Sequence, residues 1–145
     1  MENHDTGDAR KNRLGHGTFY GSAFVCELDD LLAHGLPKDA LRAAVDRVCA
    51  SGEDRKKLLY RIIPEATYKR RRGTLTAGES ERAERLARIF ATADYVWNSE
   101  DDARVFLGTS HSMLQGRTPL DVSMTELGAR RVEELLWKLY YGIAA

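Results

Sequence analysis

Thr76 and Glu79 stand three residues apart immediately ahead of a long apolar series, and this pairing restricts the fold more than any other feature of the chain. In such an arrangement the threonine hydroxyl accepts from the Glu79 amide while the Glu79 carboxylate reaches back to the cap amide. Two of the donors that a helix start leaves unpaired are then satisfied reciprocally. Ala83, Leu86, Ile89, Phe90, Ala93 and Val96 or Trp97 follow at the three- and four-residue spacings of one helix face, with Glu81, Arg82, Arg85 and Arg88 on the other. The spacing predicts a helix to about Val96 or Trp97, the longest in the chain and able to pack against both of its flanks. An all-α protein with one shared core is therefore expected.

The flanks carry the same helical signals in shorter pieces. Val25, Leu28, Leu31 and Leu32 predict a helix from Phe24 to Leu32 that Gly35 ends. Pro37 opens a second, in which Ala40, Leu41, Ala44, Val45 and Val48 form the buried stripe and Ser51-Gly52 is the stop. A third helix, from about Asp54 to Ile62, turns Leu58, Leu59 and Ile62 inward and Lys56 and Lys57 outward. Pro64 restarts the chain into a fourth, Glu65 to about Arg72, making a helix-turn-helix-like corner that Gly73 closes. Beyond the long helix, Asp101 to Leu107 forms a short helix ended by Gly108, and residues 109–116 form a loop anchored by Met113 and Leu114. Thr125 caps a final helix bearing Val132, Leu135, Leu136 and Leu139, and Gly142 permits a left-handed C-cap. These signals divide the chain into a polar, glycine-bearing tail (1–22), a helix-turn-helix-like unit (23–73) and a C-terminal helical unit (74–145).

Composition narrows the function classes. No stretch of the 145 residues approaches the ~18 apolar residues of a membrane span, and the polar start Met1-Glu2-Asn3-His4-Asp5 is no signal peptide, so a cytoplasmic protein is expected. Cys26 and Cys49 lie among apolar neighbours without the short spacing of a metal or redox pair, and read as small hydrophobes. His4, His16, His34 and His111 are too dispersed for a metal cluster. The adjacent Asp101 and Asp102 point apart, Gly15, Gly17 and Gly21 lack a preceding strand or a phosphate-binding lysine, and no nucleophile–base grouping is evident. Neither an enzyme nor a bound cofactor is expected. The formal net charge of zero conceals an uneven spread: from Glu53 to Arg72 eight basic residues face three acidic ones, whereas residues 73–145 carry eight basic and eleven acidic. Only the first segment suits a polyanion.

Four motifs in the C-terminal half occur in a fixed order: Thr76 to Glu79, Gly116-Arg117-Thr118-Pro119-Leu120, Thr125 to Gly128, and Tyr141-Gly142. Together they resemble the toxin-binding domain of Xre/MbcA/ParS-type antitoxins, and residues 36–72 resemble the helix-turn-helix domain of the same family, with Thr67-Tyr68-Lys69-Arg70-Arg71 on its basic recognition-helix pattern. One departure lies before the turn. Family members often carry Trp-Leu and a Pro-Asn pair where this chain has Phe106-Leu107-Gly108-Thr109-Ser110-His111-Ser112-Met113. Phe106 and Leu107 still supply apolar anchors, but loop contacts do not carry across. The resemblance implies an antitoxin that binds a RES-domain, NAD-using toxin and blocks its dinucleotide pocket, self-associates, and in many members binds its own operator DNA.

Arg117 either ties the turn together, bonding carbonyls or pairing with Asp121, or presents its guanidinium to the toxin; Gly116, Thr118 and Pro119 form the turn itself. Leu135, Leu136, Trp137, Leu139, Tyr140 and Tyr141 run almost around the last helix, more than one packed face needs. Trp137, Tyr140 and Tyr141, with Gly142 and the apolar tail Ile143-Ala144-Ala145, are the expected toxin-facing group. Arg55, Lys56, Lys57, Thr67, Tyr68, Lys69, Arg70, Arg71 and Arg72 are either a solvated basic surface or a phosphate and base-edge reader. The competing readings are a DNA-binding regulator whose C-terminal half only dimerises, and an adaptor for some other protein.

Overall fold

A computed structural model describes residues 30–142; the predicted tail, most of the helix from Phe24, Cys26, His4, His16 and Ile143 to Ala145 lie outside them. Residues 30–34 are helical, and Gly35 leaves the helix at a φ of +90°. The ordered elements after it are α1 (Lys38–Val48), α2 (Gly52–Ile62), α3 (Glu65–Arg70), α4 (Ala77–Trp97), α5 (Glu100–Gly108), a 3-10 turn (Ser112–Leu114), α6 (Pro119–Val122) and α7 (Glu126–Tyr140). There is no strand among the described residues, only the isolated bridges Pro37–Thr74 and His111–Arg117. The fold is all-α.

The first bridge closes the N-terminal unit. Leu75 donates its amide to the Leu36 carbonyl at 2.8 Å, and Lys38 donates to the Gly73 carbonyl at 3.1 Å. The Leu36 amide is taken by the hydroxyl of Ser80, a fully buried residue on α4. A side chain at Gly35 would place its Cβ 2.1 Å from the Leu75 carbonyl oxygen, so only glycine lets these two segments meet.

The long helix starts as its sequence predicts. Thr76 Oγ1 accepts from the Glu79 amide at 3.2 Å, and the Glu79 carboxylate accepts from the Thr76 amide at 2.9 Å. Glu79 is held below the usual carboxylate range: burial opposes this, but the Thr76 amide and then the Arg71 guanidinium outweigh it. We expect Thr76→Ala to cost about 1–2 kcal/mol in urea unfolding, since the Glu79 amide loses its Oγ1 acceptor while only the bond from the residue-76 amide to the Glu79 carboxylate remains. An unchanged midpoint would show that α4 is nucleated by packing alone.

Ala83, Leu86, Ile89, Phe90 and Ala93 of α4 are buried and belong to one continuous core. Leu41, Ala44, Val45 and Val48 of α1 join it on one side, and Ala103, Phe106 and Leu107 of α5 with Val132, Leu135 and Leu136 of α7 on the other. The shared core is observed, and α4 packs against α1, α5 and α7 together.

Three boundary expectations are corrected. Ser51-Gly52 starts α2 instead of stopping α1: Ser51 Oγ accepts from the Asp54 amide at 3.1 Å, and α1 has already ended at Val48. The fourth helix ends at Arg70, because Arg71 adopts an extended backbone that lets its side chain fold back on Glu79. In the loop before α6 only Leu114 is buried. Met113 points outward, because the tight 3-10 turn cannot direct two successive side chains into the same core.

Candidate functional site

The Gly116-to-Leu120 turn is built by its own local chemistry. Gln115 and Gly116 take positive φ values of 58° and 74°, reversing the chain after the 3-10 turn. Thr118 Oγ1 then accepts from the Asp121 amide at 3.1 Å, and the buried Pro119 occupies the first position of α6, where its missing N–H leaves nothing unpaired. Arg117 is exposed and donates to the Asp121 carbonyl at 3.4 Å. The Asp121 carboxylate pairs with Arg61 of α2, so of the two structural alternatives for Arg117 the carbonyl bond is the one observed. Arg61, followed by the Thr118 hydroxyl, holds this carboxyl below its ordinary range.

A second set of arginines joins α4 to the start of α7. Arg85 donates to the Met124 carbonyl at 2.9 Å and to Glu126 at 3.1 Å, while Arg88 reaches Glu126 at 3.0 Å and Glu133 at 3.1 Å. Arg85 and Arg88 were expected to decorate the solvent face of the long helix; they are instead the clasp between two helices. Arg82 remains exposed, as expected, while donating to the Ile62 carbonyl at 3.0 Å. Glu126 is held below the usual carboxylate range, chiefly by its hydrogen bond from Arg88. Burial raises Glu84 beside it, with Arg88 partly offsetting that. The depressed Glu126 contributes stability above its unfolded-state value and loses it as pH falls through its folded value, whereas Glu84 works in the opposite sense. Thermal melts stepped downward from pH 7 should therefore fall less steeply for Glu126→Gln than for the unaltered chain. Identical slopes would show that the clasp carries no pH linkage.

Because Arg85 and Arg88 meet Glu126 at one end while Tyr95 meets Tyr140 at the other, α4 and α7 run side by side in the same direction. This brings the aromatic residues together. The Tyr95 ring lies 5.8 Å from Trp137 and 5.4 Å from Tyr140, and Trp137, Tyr140 and Tyr141 are within ring contact of one another. The Tyr141 side of this cluster is two-thirds exposed (68%), and Tyr140 (44%) and Leu139 (37%) extend the same surface. Sequence reasoning singled out Trp137, Tyr140 and Tyr141 but missed Tyr95, which falls off the apolar stripe of its own helix. Arg117 stands outside the ring network, Gly142 turns the chain at a φ of +64°, and Ile143 to Ala145 lie outside the described residues.

The basic segment is less uniform than its sequence. Arg55 donates to the Cys49 and Ala50 carbonyls, Lys57 pairs with Glu53, Lys69 with Glu65, and Arg71 with the buried Glu79. Arg70 caps the Ala66 carbonyl, and the Lys38 ammonium sits 4.1 Å over the Tyr68 ring. Thr67 is half-buried, while Lys56 and Arg72 are exposed. Cys49 is half-buried against the core, and burial pushes its thiol up, as suits a packing role. Among the described residues no group of His, Cys, Asp and Glu could hold a metal ion, and no helix is long and apolar enough to cross a membrane.

A helix-turn-helix-like unit fused through one long helix to a helical unit with an exposed aromatic end defines a protein class built for binding. The sequence model of the antitoxin Xre-like helix-turn-helix domain matches residues 27–88, and that of the antitoxin Xre/MbcA/ParS C-terminal toxin-binding domain matches residues 92–142. The chain belongs to the Xre/MbcA/ParS antitoxins. It is similar to the antitoxin Xre of Pseudomonas putida KT2440, with 34% identity over 84 residues, 56% of this chain and 53% of that protein. The chain thus matches about half the length of that relative, and both family segments meet within α4.

Proposed function

We propose that this chain is the antitoxin of a toxin–antitoxin pair whose toxin is a RES-domain, NAD-using enzyme, and that it inhibits by occupying the approach to the dinucleotide pocket. The observation that carries this reading is the exposed cluster of Tyr95, Trp137, Tyr140 and Tyr141, which lies wholly within the segment matching a toxin-binding domain. Aromatic rings offer large contact area with few rotamers to freeze, which is what a tight protein partner selects. The apolar residues Ile143, Ala144 and Ala145 that follow Gly142 in sequence are assigned to the toxin cleft, where they would exclude a nucleotide without imitating it. Inhibition is stoichiometric, and Arg117 contributes at the edge of the same contact.

The decisive experiment co-purifies the chain with the protein encoded beside it and follows NAD consumption by that partner with and without the chain. A stable complex that silences turnover is expected, together with recovery of turnover when residues 142–145 are deleted. Failure to form a complex would sink the antitoxin reading, and undiminished inhibition by the shortened chain would sink the role given to the tail.

Operator DNA is a second proposed partner, favoured by the match to a helix-turn-helix domain and by the exposed Lys56 of α2 and Arg72 just after α3. A six-residue helix reads few bases, so self-association is part of this reading. Binding to the upstream DNA should weaken steeply with salt; a salt-insensitive association would overturn it.

A further inference from the structure

Between the end of α2 and the first half of α4 lies a cleft of about 130 Å³ lined by three arginines: Arg61 from α2, and Arg82 and Arg85 from α4. Its floor is apolar, formed by Ile62, Leu86 and Met124. A single water needs only about 10–15 Å³, so there is room for a larger occupant. Neither the toxin-facing aromatic end nor the basic helix uses this place.

The charges are unequally matched. Arg61 has the Asp121 carboxylate and Arg85 has Glu126, but Arg82 faces no carboxylate among the described residues. Its one recorded bond, to the Ile62 carbonyl, occupies one of five guanidinium N–H groups. Arg61 spends one nitrogen on Asp121, and Arg85 keeps its second terminal nitrogen outside its bonds to Met124 and Glu126. Three guanidinium edges with one uncompensated positive charge therefore converge over an apolar floor.

We propose that this cleft binds a phosphoryl group, free or carried on a small molecule, with Arg82 as its main contact and Arg61 and Arg85 completing the cradle. A tetrahedral dianion offers three outward oxygens to three forks on two helices, whereas a planar carboxylate offers two and serves at most two of them. Occupation would also link α2 to α4 at the seam where the helix-turn-helix-like unit meets the long helix.

The test is a nuclear magnetic resonance titration of the full chain at constant ionic strength, with inorganic phosphate, adenosine monophosphate and acetate as separate probes. Saturable shifts at the Ile62, Ser123 and Met124 amides are expected with phosphate or the monophosphate, and at least tenfold weaker binding with acetate. A stronger response to inorganic phosphate assigns the free ion, and a stronger response to the monophosphate assigns the carried group. Arg82→Gln should weaken binding at least tenfold, Arg82→Lys should fall between, and the remote Arg47→Gln, at a residue paired with Glu100, should change nothing. Shifts that never saturate, acetate binding as tightly as phosphate, or an Arg82→Gln chain that binds like the unaltered one would each overturn the assignment.

Discussion

Replacing Gly128 by alanine should cost at least about 3 kcal/mol and loosen the C-terminal unit, because overpacking here presses on backbone that has nowhere to go. A Cβ at this position would stand 1.8 Å from the Val122 carbonyl oxygen and 2.9 Å from the Thr125 hydroxyl. That hydroxyl already accepts from the Gly128 amide at 3.0 Å to cap α7, so the cap and the close approach of α6 depend on the same missing side chain. The motif Thr125-x-x-Gly128 is thus a single packing device. Gly78 supplies the comparison: it lies in the first turn of α4 with nothing within 4 Å of its Cβ position, and its replacement by alanine should be neutral or stabilising by up to about 1 kcal/mol. Urea unfolding of the two variants side by side measures the contrast. Equal stabilities would mean that α6 and α7 are not so closely apposed.

The second large effect concerns binding. Under the proposed function, Tyr140→Ala combined with Tyr141→Ala should weaken toxin binding by about 30-fold or more, the scale of an aromatic anchor worth ~2 kcal/mol. Both rings are substantially exposed, so the unfolding midpoint should move by no more than ~1 kcal/mol. This separates them from Trp137, which is half-buried between Tyr95 and Tyr141 and serves packing as well. Calorimetry with the purified toxin gives the affinity, and loss of inhibition should follow it. Full inhibition by the doubly substituted chain would move the interface elsewhere on the C-terminal unit.

What could be read from the sequence was local. The Thr76–Glu79 box, the Thr125 cap and the stripes of α1, α4 and α7 follow from spacings of three and four residues, which sequence displays directly. Ordered motifs at known positions carried the family resemblance. The contacts that fix one helix against another were not visible: Arg61 lies 60 residues from Asp121, and Arg85 lies 41 from Glu126. A charged side chain on the polar face of a helix looks identical whether it meets water or a distant carboxylate. Tyr95 was missed for a related reason, since it joins Trp137 and Tyr140 only because α7 happens to lie alongside in the same direction. The partners of the basic run were not visible either: Lys57 meets Glu53, Lys69 meets Glu65, Arg71 meets Glu79 and Arg70 the Ala66 carbonyl.

The uninterrupted course of α4 from Ala77 to Trp97 bears on how such a protein can be recombined. The two family segments abut inside it, between residues 88 and 92, where one rod serves both sides of the shared core. A crossover there would splice half a helix with one partner's stripe onto half with another's, and Ile89 and Phe90 would meet mismatched walls at the junction. Exchange of one unit for another must therefore carry the whole helix with it, so that its recognition surfaces diversify by substitution more readily than by shuffling.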